Sequence, residues 1–410
     1  MKVVVETPSC VIDKELGIGQ DNWDFAEHLA VGQLSMEKLF RTVALEAANT
    51  TSPLVKSDNS LNIDDMIFDD PLMRCRSITG EQLLNRRIFN DGLLILHHGV
   101  VLHESYRNGM TATDRHVIHS CTKSLCSMLI AIAIDDGLIE TETEIALQLP
   151  EFKSQAAWQG VTLQHVLDMQ AGIEYSEDYA DPNADYWSYA RAAGYYPTLD
   201  GQPAIGVRAW ALENLNRRQH TPGTHFVYNS CLANVLGMVL ESIYRKGLAD
   251  IFEELLYRRC GTESAAYFNT DPQGFPITEG QFNCRLRDFA RCASLMVGEG
   301  KNLAGEQILP AGFIEHLLTP DPSAQRAYHA HSRDELFVNG QYKNQFWVLD
   351  PDRKQFSMLG IHGQFAWFDI NLKLMIVGMG SFPNQDGRLL MRSLNTLWQQ
   401  VATTVQDFQY

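Results

Sequence analysis

Hydrophobic and polar residues follow different periods in different parts of this chain. In "GLLILHHGVVLHESY" two β-rich apolar runs flank a short polar turn, which predicts a hairpin. A nearly continuous apolar stretch from Ser120 to about Asp136 ends at Gly137 and predicts a long, buried helix. Residues 343–380 contain four strand-like runs separated by turns. The amphipathic pattern of "GRLLMRSLNTLWQQVATTV" then predicts a closing helix.

The remaining segments have weaker patterns. Residues 1–84 carry several prolines and polar runs, and we interpret them as a wrapping N-terminal segment with one helix around residues 22–48. A helix capped by Thr162 and a second long helix over about residues 230–248 are predicted further on. Between them, residues 171–201 form a long loop rich in tyrosine, which favours a binding wall over a tether.

Strand-like runs near both ends of the chain, with a helical block between them, predict an α+β fold. One antiparallel sheet would be built from both chain ends and flanked by helices. We therefore expect residues 85–118 and 336–410 to form an α/β sheet subdomain. Residues 119–335 would form an inserted, mainly helical subdomain, with the active site at the interface of one catalytic unit.

Composition narrows the class of partner. The net charge of −17 argues against nucleic acid and anionic membranes. No secretory signal pattern and no apolar run of membrane-spanning length are found. The eight cysteines lack C-x-x-C spacing and several lie in apolar segments, which indicates buried free thiols. We expect a cytoplasmic protein that acts on a small molecule, and the sequence leaves a homodimer open.

The stretch "HSCTKSLC" places Ser120 at a predicted helix start and Lys123 one turn later, on the same helix face. Unbonded N–H groups at a helix start favour developing negative charge, and an amine on a buried helix loses part of its preference for charge. Ser120 is thus a candidate nucleophile and Lys123 its base. The alternative is an ordinary N-cap with a surface lysine. We predict that ordinary role for the same spacing at Ser35–Lys38.

Two further stretches could complete such a site. In "PGTHFVYNSCLANVLGMVLE", Tyr228 and Ser230 stand at a helix start, where the tyrosine could relay a proton; the alternative is a core aromatic. In "FSMLGIHGQFAWFD", glycines interrupt a strand, which indicates close backbone approach, or else a bulge or tight turn. The N–H of Ile361 could then form an oxyanion hole with that of Ser120.

These three motifs, "SCTK", "YNS" and the glycine-containing strand, are called boxes below. In this order they resemble the serine β-lactamase/penicillin-binding-protein superfamily, in particular its class C members, over about residues 85–400. "HSCTKSLCSMLIAIAIDDGLI", "VLDMQAGIEYSEDYADP" and "GIHGQFAWFD" are similar to the 6-aminohexanoate-dimer (nylon-oligomer) hydrolases and their carboxylesterase-like relatives, as is "DNWDFAEHL". The resemblance implies an acyl-enzyme amidase or esterase, with Ser120 as nucleophile, Lys123 and Tyr228 handling protons, and no metal or organic cofactor. It also implies that Tyr179 faces the substrate cleft. The full set of predicted substrate-binding residues is Tyr179, Tyr186, Trp187, Ser230, Gly360 and His362.

The chain departs from the superfamily pattern in ways that concern substrate choice. Its third box is "MLG" where Lys-Thr-Gly or His-Thr-Gly is usual, so no cation there holds a β-lactam carboxylate, and we expect a poor β-lactamase. Ser230 stands where lactamases often have Asn. Ala190 stands where nylon-oligomer-active members can place an acid in the lid loop. Glu279, in "TEGQFNC", is expected near the cleft rim.

Other function classes fit less well. No G-x-S-x-G nucleophile elbow is found. "HAHSRDE" offers His329, His331 and Asp334 as a faint metal-ligand run, but the adjacent Asp-His pair of the full motif is missing, and a solvated loop is predicted. The alternatives that stay open are an acyltransferase or transesterase using the same acyl-enzyme, a D-stereospecific peptidase, a β-lactamase, and a non-catalytic binding module on the same fold.

Overall fold

The computed structural model of the protein describes residues 2–6, 11–73, 75–199, 201–331, 335–337 and 339–408. The strands within these ranges are β1 (Val4–Val5), β2 (Val11–Asp13), β3 (Ile18–Gly19), β4 (Thr42–Leu45), β5 (Val55–Lys56), β6 (Ile67–Asp69), β7 (Ser77–Thr79), β8 (Asn90–His97), β9 (Val100–Tyr106), β10 (His116–Val117), β11 (Ala266–Asn269), β12 (Phe282–Cys284), β13 (Gln341–Lys343), β14 (Phe346–Asp350), β15 (Gln355–Gly360), β16 (Gln364–Asp369) and β17 (Leu374–Gly380). The α-helices are α1 (Leu29–Gln33), α2 (Met36–Leu39), α3 (Gly80–Leu83), α4 (Cys121–Asp135), α5 (Ile145–Gln148), α6 (Leu163–Leu167), α7 (Asp185–Ala193), α8 (Val207–Asn214), α9 (Ser230–Tyr244), α10 (Leu248–Phe252), α11 (Leu286–Ala293), α12 (Phe313–Leu318), α13 (Pro322–His331) and α14 (Arg388–Val405).

The main sheet has eight strands in the order β13-β14-β15-β16-β17-β8-β9-β5. Its pairs are antiparallel except β5 with β9, which run parallel. The central strands β8 and β17 are buried along their whole length, as their nearly unbroken apolar residues require when both faces of a sheet are covered. The predicted α+β fold, with an antiparallel sheet built from both chain ends, is confirmed.

Several local predictions are also confirmed. The predicted hairpin is β8 and β9, which pair directly. Helix α4 ends just before Gly137, which adopts φ +70° and so terminates the helix without strain. The Thr162 side chain caps α6 by accepting a hydrogen bond from the His165 N–H at 3.4 Å. The four strand-like runs are β14 to β17, and the closing helix is α14.

Two local predictions are wrong. The helix expected over residues 22–48 is replaced by the short helices α1 and α2 followed by strand β4. Strand β4 pairs with β11, more than two hundred residues later, so a long-range partner decides its conformation. The loop predicted for residues 171–201 contains helix α7, whose buried aromatic face packs against α8 and which ends at Gly194 with φ +90°.

A second sheet was not predicted. Its five strands have the order β1-β4-β11-β12-β10. Each is only two to four residues long, which is too short for period-two alternation to stand out in the sequence. This sheet matters for the site because β10 leads directly into helix α4 through Ile118, whose N–H donates to the Phe282 carbonyl at 3.0 Å.

The cysteines and helices bear on two further expectations. Seven cysteines lie in the described residues and all are free; six of them are buried and Cys75 is exposed. Cys10 lies outside those residues. Across the described ranges, none of the helices combines the length and apolarity that a bilayer crossing demands.

Candidate active site

Ser120 occupies the N-cap position of α4, but its side chain makes no capping hydrogen bond. Instead its Oγ accepts a hydrogen bond from Lys123 Nζ at 2.7 Å. The residue is partly exposed, so a ligand can reach the hydroxyl. The Ser120 hydroxyl is therefore held by the Lys123 amine, one turn further along the same helix.

Lys123 is only 1% exposed, whereas Lys38 of the second S-x-x-K stretch is exposed at the surface. The Lys123 Nζ donates to Ser120 Oγ and to the Glu279 carbonyl at 2.6 Å, and it lies 3.5 Å from Glu279 Oε2. Burial lowers the pKa of Lys123, while the nearby carboxylates of Glu279 and Glu177 oppose that effect. The amine is thus moved toward the uncharged form that a base needs.

Tyr228 lines the large cavity together with Ser120, and Lys123 Nζ lies 5.2 Å from the centre of the Tyr228 ring. On its other side the ring stacks on Trp347, with centroids 5.6 Å apart. Burial raises the pKa of Tyr228 well above its ordinary value. The phenol therefore keeps its proton at neutral pH and can pass one between Ser120 and a leaving group.

Gly360, at the end of β15, permits close packing against the segment before Ser120. A Cβ built on Gly360 would lie 2.8 Å from the Ile118 carbonyl oxygen and 3.1 Å from His119 Cβ. The backbone of Gly360 is extended, so the glycine is needed for space and not for a left-handed conformation. In the turn that follows, by contrast, a left-handed conformation does require glycine, since Gly363 has φ +90°. This contact brings Ile361 to the same cavities as Ser120.

Glu279 does not lie at the cleft rim, where the sequence placed it. It is 5% exposed, beside Lys123, and its Oε1 accepts a hydrogen bond from the Tyr195 hydroxyl. The preceding Thr278 is fixed to α9, because its N–H donates to Asn234 Oδ1 at 3.0 Å and its hydroxyl to the Ala233 carbonyl at 2.9 Å. The expectation failed because nothing near residue 279 reveals this attachment to α9.

A second carboxylate of the site, Glu177, was not recognised from the sequence. It accepts hydrogen bonds from the Ser230 N–H at 2.8 Å, the Ser230 hydroxyl at 2.6 Å and the Tyr179 hydroxyl at 2.7 Å. Burial raises its pKa, and Lys123 and these donors oppose the rise. The signal that could have found it is its place two residues before Tyr179 in "EDYADP".

Two unlike cavities meet at Ser120, and both are also lined by Tyr179, Ile361 and Gln385. The small cavity is narrow, with ≈ 20 Å³ of space that a water-sized group can occupy, and has aromatic and acidic walls: Trp23, Asp24, Tyr186, Trp187, Tyr195, Tyr196 and Glu279. The large cavity encloses ≈ 1610 Å³, including the part open to solvent, and is mainly apolar: Phe226, Tyr228, Tyr328, Phe337, Trp347, Leu359, Leu390, Met391 and Leu394.

The predicted substrate-binding residues are distributed over these cavities. Tyr186, Trp187 and His362 line the small one, and Gly360 lines the large one. Ser230 lies behind the wall, bonded to Glu177.

Residues outside the predicted set belong to the same surroundings. Ala190 is fully buried in α7 and lines neither cavity. Arg388, at the start of α14, lines the large cavity and supplies a cation that the third box lacks. Trp23 and Asp24 come from the N-terminal segment, where only the likeness of "DNWDFAEHL" to known hydrolases hinted at a part in the site.

In the candidate metal-ligand run, the structure describes the side chain of His329, which lines neither cavity. His329 is exposed on α13, Asp334 lies outside the described residues, and the His331 side chain is likewise not described. Over the described ranges, no cluster of three His, Cys, Asp or Glu side chains is arranged to hold a metal ion.

Comparison with known protein families agrees with the fold and with the arrangement of Ser120 and Lys123. Residues 76–389 match the family model described as Beta-lactamase. The match spans more than half of the chain, so the protein belongs to the beta-lactamase family. It is a hydrolase of that superfamily, acting on amide or ester bonds.

Within that class, the chain is similar to the 6-aminohexanoate-dimer hydrolase of Paenarthrobacter ureafaciens, with 28% identity over 369 residues that cover 90% of this chain and 89% of the relative. A structure from Bacillus anthracis, described as a candidate 6-aminohexanoate-dimer hydrolase, superposes with a TM-score of 0.86 at 20% identity, covering 98% and 100% of the two chains. A hydrolase with promiscuous acyltransferase activity superposes with a TM-score of 0.58 at 15% identity, covering 77% and 96%. These structural likenesses show the shared fold.

Proposed function

We propose that the protein is a serine hydrolase that cleaves an amide or ester bond of a small molecule through an acyl-enzyme on Ser120. The observation that carries the proposal is the hydrogen bond from Lys123 Nζ to Ser120 Oγ at 2.7 Å, with the Tyr228 ring 5.2 Å from the same amine and in the same cavity wall as Ser120. A buried amine bonded to a reachable hydroxyl, with a protonated phenol beside them, are the parts that acyl transfer needs.

The proposed reaction has two halves. Ser120 Oγ forms a bond to the substrate carbonyl carbon while its proton passes to the Lys123–Tyr228 pair. The N–H groups of Ser120 and Ile361 hold the oxyanion. When the tetrahedral intermediate collapses, the pair protonates the leaving amine or alcohol. Water then attacks the acyl-enzyme, gives its proton to the same pair, and releases the acid and free Ser120.

The substrate class follows from the walls and the relatives. The large cavity offers an apolar surface for a carbon chain or ring next to Ser120. The relative from Paenarthrobacter ureafaciens is a hydrolase of the 6-aminohexanoate dimer, and we infer that this chain accepts compounds of that general kind, an acyl group joined to a small amine or alcohol. The six buried free cysteines support a reducing compartment, so we propose a cytoplasmic location.

The experiment is intact mass spectrometry after incubation with a fluorophosphonate and with short p-nitrophenyl esters. We expect one adduct on Ser120 in the native protein and none in Ser120→Ala. The matched control is Ser35→Ala, which removes the serine of the other S-x-x-K stretch and should label like the native protein. Labelling that persists in Ser120→Ala refutes the proposal.

Two further measurements separate the neighbouring functions. Added alcohol or amine that yields a transferred product faster than the free acid forms would identify an acyltransferase. Nitrocefin turnover at the rates of true lactamases would contradict the argument from the "MLG" box. A tight ligand together with an unlabelled Ser120 would indicate a binding module.

A further inference from the structure

The small cavity has a continuous aromatic wall that leads away from Ser120. Starting at Tyr179, the ring centroids of Tyr179 and Tyr186 are 4.9 Å apart, those of Tyr186 and Trp187 are 5.3 Å apart, and those of Trp187 and Tyr196 are 5.7 Å apart. The last ring donates its hydroxyl proton to Asp24 Oδ2. The wall therefore begins at Tyr179, which shares both cavities with Ser120, and ends at a carboxylate.

The two carboxylates of this cavity differ in their partners. Glu279 already has a cation, since its Oε2 lies 3.5 Å from Lys123 Nζ. Asp24 has none: among the residues that the structure describes, no lysine, arginine or histidine pairs with it, and its contact is the neutral Tyr196 hydroxyl. Burial raises the pKa of Asp24, as expected for a carboxylate that lacks a counter-ion.

We propose that the small cavity binds a cationic amine of the substrate, with Asp24 as its counter-ion and the rings of Trp187 and Tyr196 as the surface that it approaches. The inference rests on the proposed function, because Ser120 supplies the reaction and the cavity only selects its substrate.

The chemistry of the walls favours a cation over other groups. Indole and phenol rings attract cations over their faces, and the attraction increases where water is excluded. An anion would meet Asp24 and Glu279 together, and a purely apolar group would leave the Asp24 charge uncompensated. The net charge of −17 also draws cations toward the protein. An apolar part of the same substrate fits the large cavity, whose walls are mainly apolar and carry Arg388 together with the acids Glu177 and Asp386.

The N-terminal segment supplies the charge. Trp23 and Asp24 lie outside residues 76–389, which carry the family match. The Trp23 ring stacks on that of His119 with centroids 6.5 Å apart, and His119 directly precedes Ser120. Segment and nucleophile are thus held together by a packed contact, although they are almost a hundred residues apart.

The test compares esters that differ only in charge. The first pair is p-nitrophenyl 6-aminohexanoate and p-nitrophenyl heptanoate, where an ammonium replaces a methyl group on the acyl side. The second pair is 5-aminopentyl acetate and hexyl acetate, which differ in the same way on the alcohol side. We expect kcat/KM to favour the cationic member of one pair by about tenfold, the effect typical of a charge-assisted contact in a partly dry site.

The variant is Asp24→Asn, which should bring that preference close to unity, read as the ratio of kcat/KM within the pair. The matched control is Asp21→Asn, an exposed acid three residues earlier in the same segment, which should keep the native ratio. As a measurement that needs no variant, n-pentylammonium should inhibit the native protein about tenfold more strongly than 1-pentanol.

Each outcome decides one question. Equal kcat/KM within both pairs, or a native preference that survives Asp24→Asn, overturns the cation site while leaving the serine hydrolase intact. Equal inhibition by the ammonium and the alcohol overturns it as well, even where Asp24→Asn does not fold. Hydrolysis of any of the four esters by Ser120→Ala at the native rate overturns the proposed function itself, and that result is independent of charge.

Discussion

Gly360→Ala should reduce activity without unfolding the protein. The added methyl group would lie 2.8 Å from the Ile118 carbonyl oxygen, which accepts a hydrogen bond from the Cys121 N–H at 3.2 Å, while the Ile118 N–H donates to β12. The residue has φ −132° and ψ 152°, which alanine adopts freely, so the cost comes from the contact alone. Since neither side is a flexible side chain, the end of β15 must move away from the helix start.

The size of the effect follows from this distance. Ordinary contacts of a Cβ begin near 3.4 Å, so strand and helix start must separate by about 0.6 Å. The N–H of Ile361, which follows Gly360, would move by a similar amount from the oxyanion. A misplacement of about 1 Å can cost about 100-fold in rate, and removal of one oxyanion donor costs about 100- to 1,000-fold. We therefore expect kcat/KM to fall between about 10- and 100-fold, which is about 1.4 to 2.7 kcal/mol.

The assay is steady-state hydrolysis of a p-nitrophenyl ester, with thermal unfolding measured in parallel. The control is Gly92→Ala on β8 of the same sheet, where the new methyl group meets the ends of the flexible Leu286 and Met110 side chains at 3.2 Å. That variant should keep kcat/KM near the native value. Native kcat/KM in Gly360→Ala would refute the reasoning, because it would mean that this packing does not position the oxyanion donor.

Two further predictions concern charge. Glu279→Gln removes a carboxylate that raises the pKa of Lys123 against the lowering effect of burial. With a neutral ester, the ascending limb of the plot of kcat/KM against pH should therefore move to lower pH. A limb that does not move would contradict the proposal that Lys123 is the base. Burial opposes the charge on Glu104, but hydrogen bonds from Arg287 and Tyr106 outweigh it and hold the pKa of Glu104 at about 2. Stability from this group is therefore present above pH 4.5, its ordinary pKa, and is lost as the pH falls toward 2. Glu104→Gln should lower the free energy of unfolding by roughly 2 kcal/mol at pH 7, with the difference closing near pH 2, as thermal or urea unfolding will show.

Features set by local sequence could be predicted from the chain alone. The spacing of Ser120 and Lys123 puts both on one helix face whatever surrounds the helix, and the apolar residues after them require burial. Strands β14 to β17 and helix α14 were predictable for the same reason, since hydrophobic period and turn residues lie within each element. The order of the three motifs around Ser120, Tyr228 and Gly360 was sufficient to indicate the superfamily.

Other features depended on partners far away in the chain. The segment that forms β4 was predicted to be helical, because β11, the strand with which it pairs, is distant in the chain and leaves no trace in the local sequence pattern. Glu279 was expected at the rim, and its attachment to α9 turned it inward beside Lys123. Asp24 carried no chemical signal until the fold placed it at the end of an aromatic wall that begins near Ser120. The sequence by itself determined the pairing of Ser120 with Lys123, because their spacing along one helix is local; which charges and rings surround that pair was decided by long-range packing.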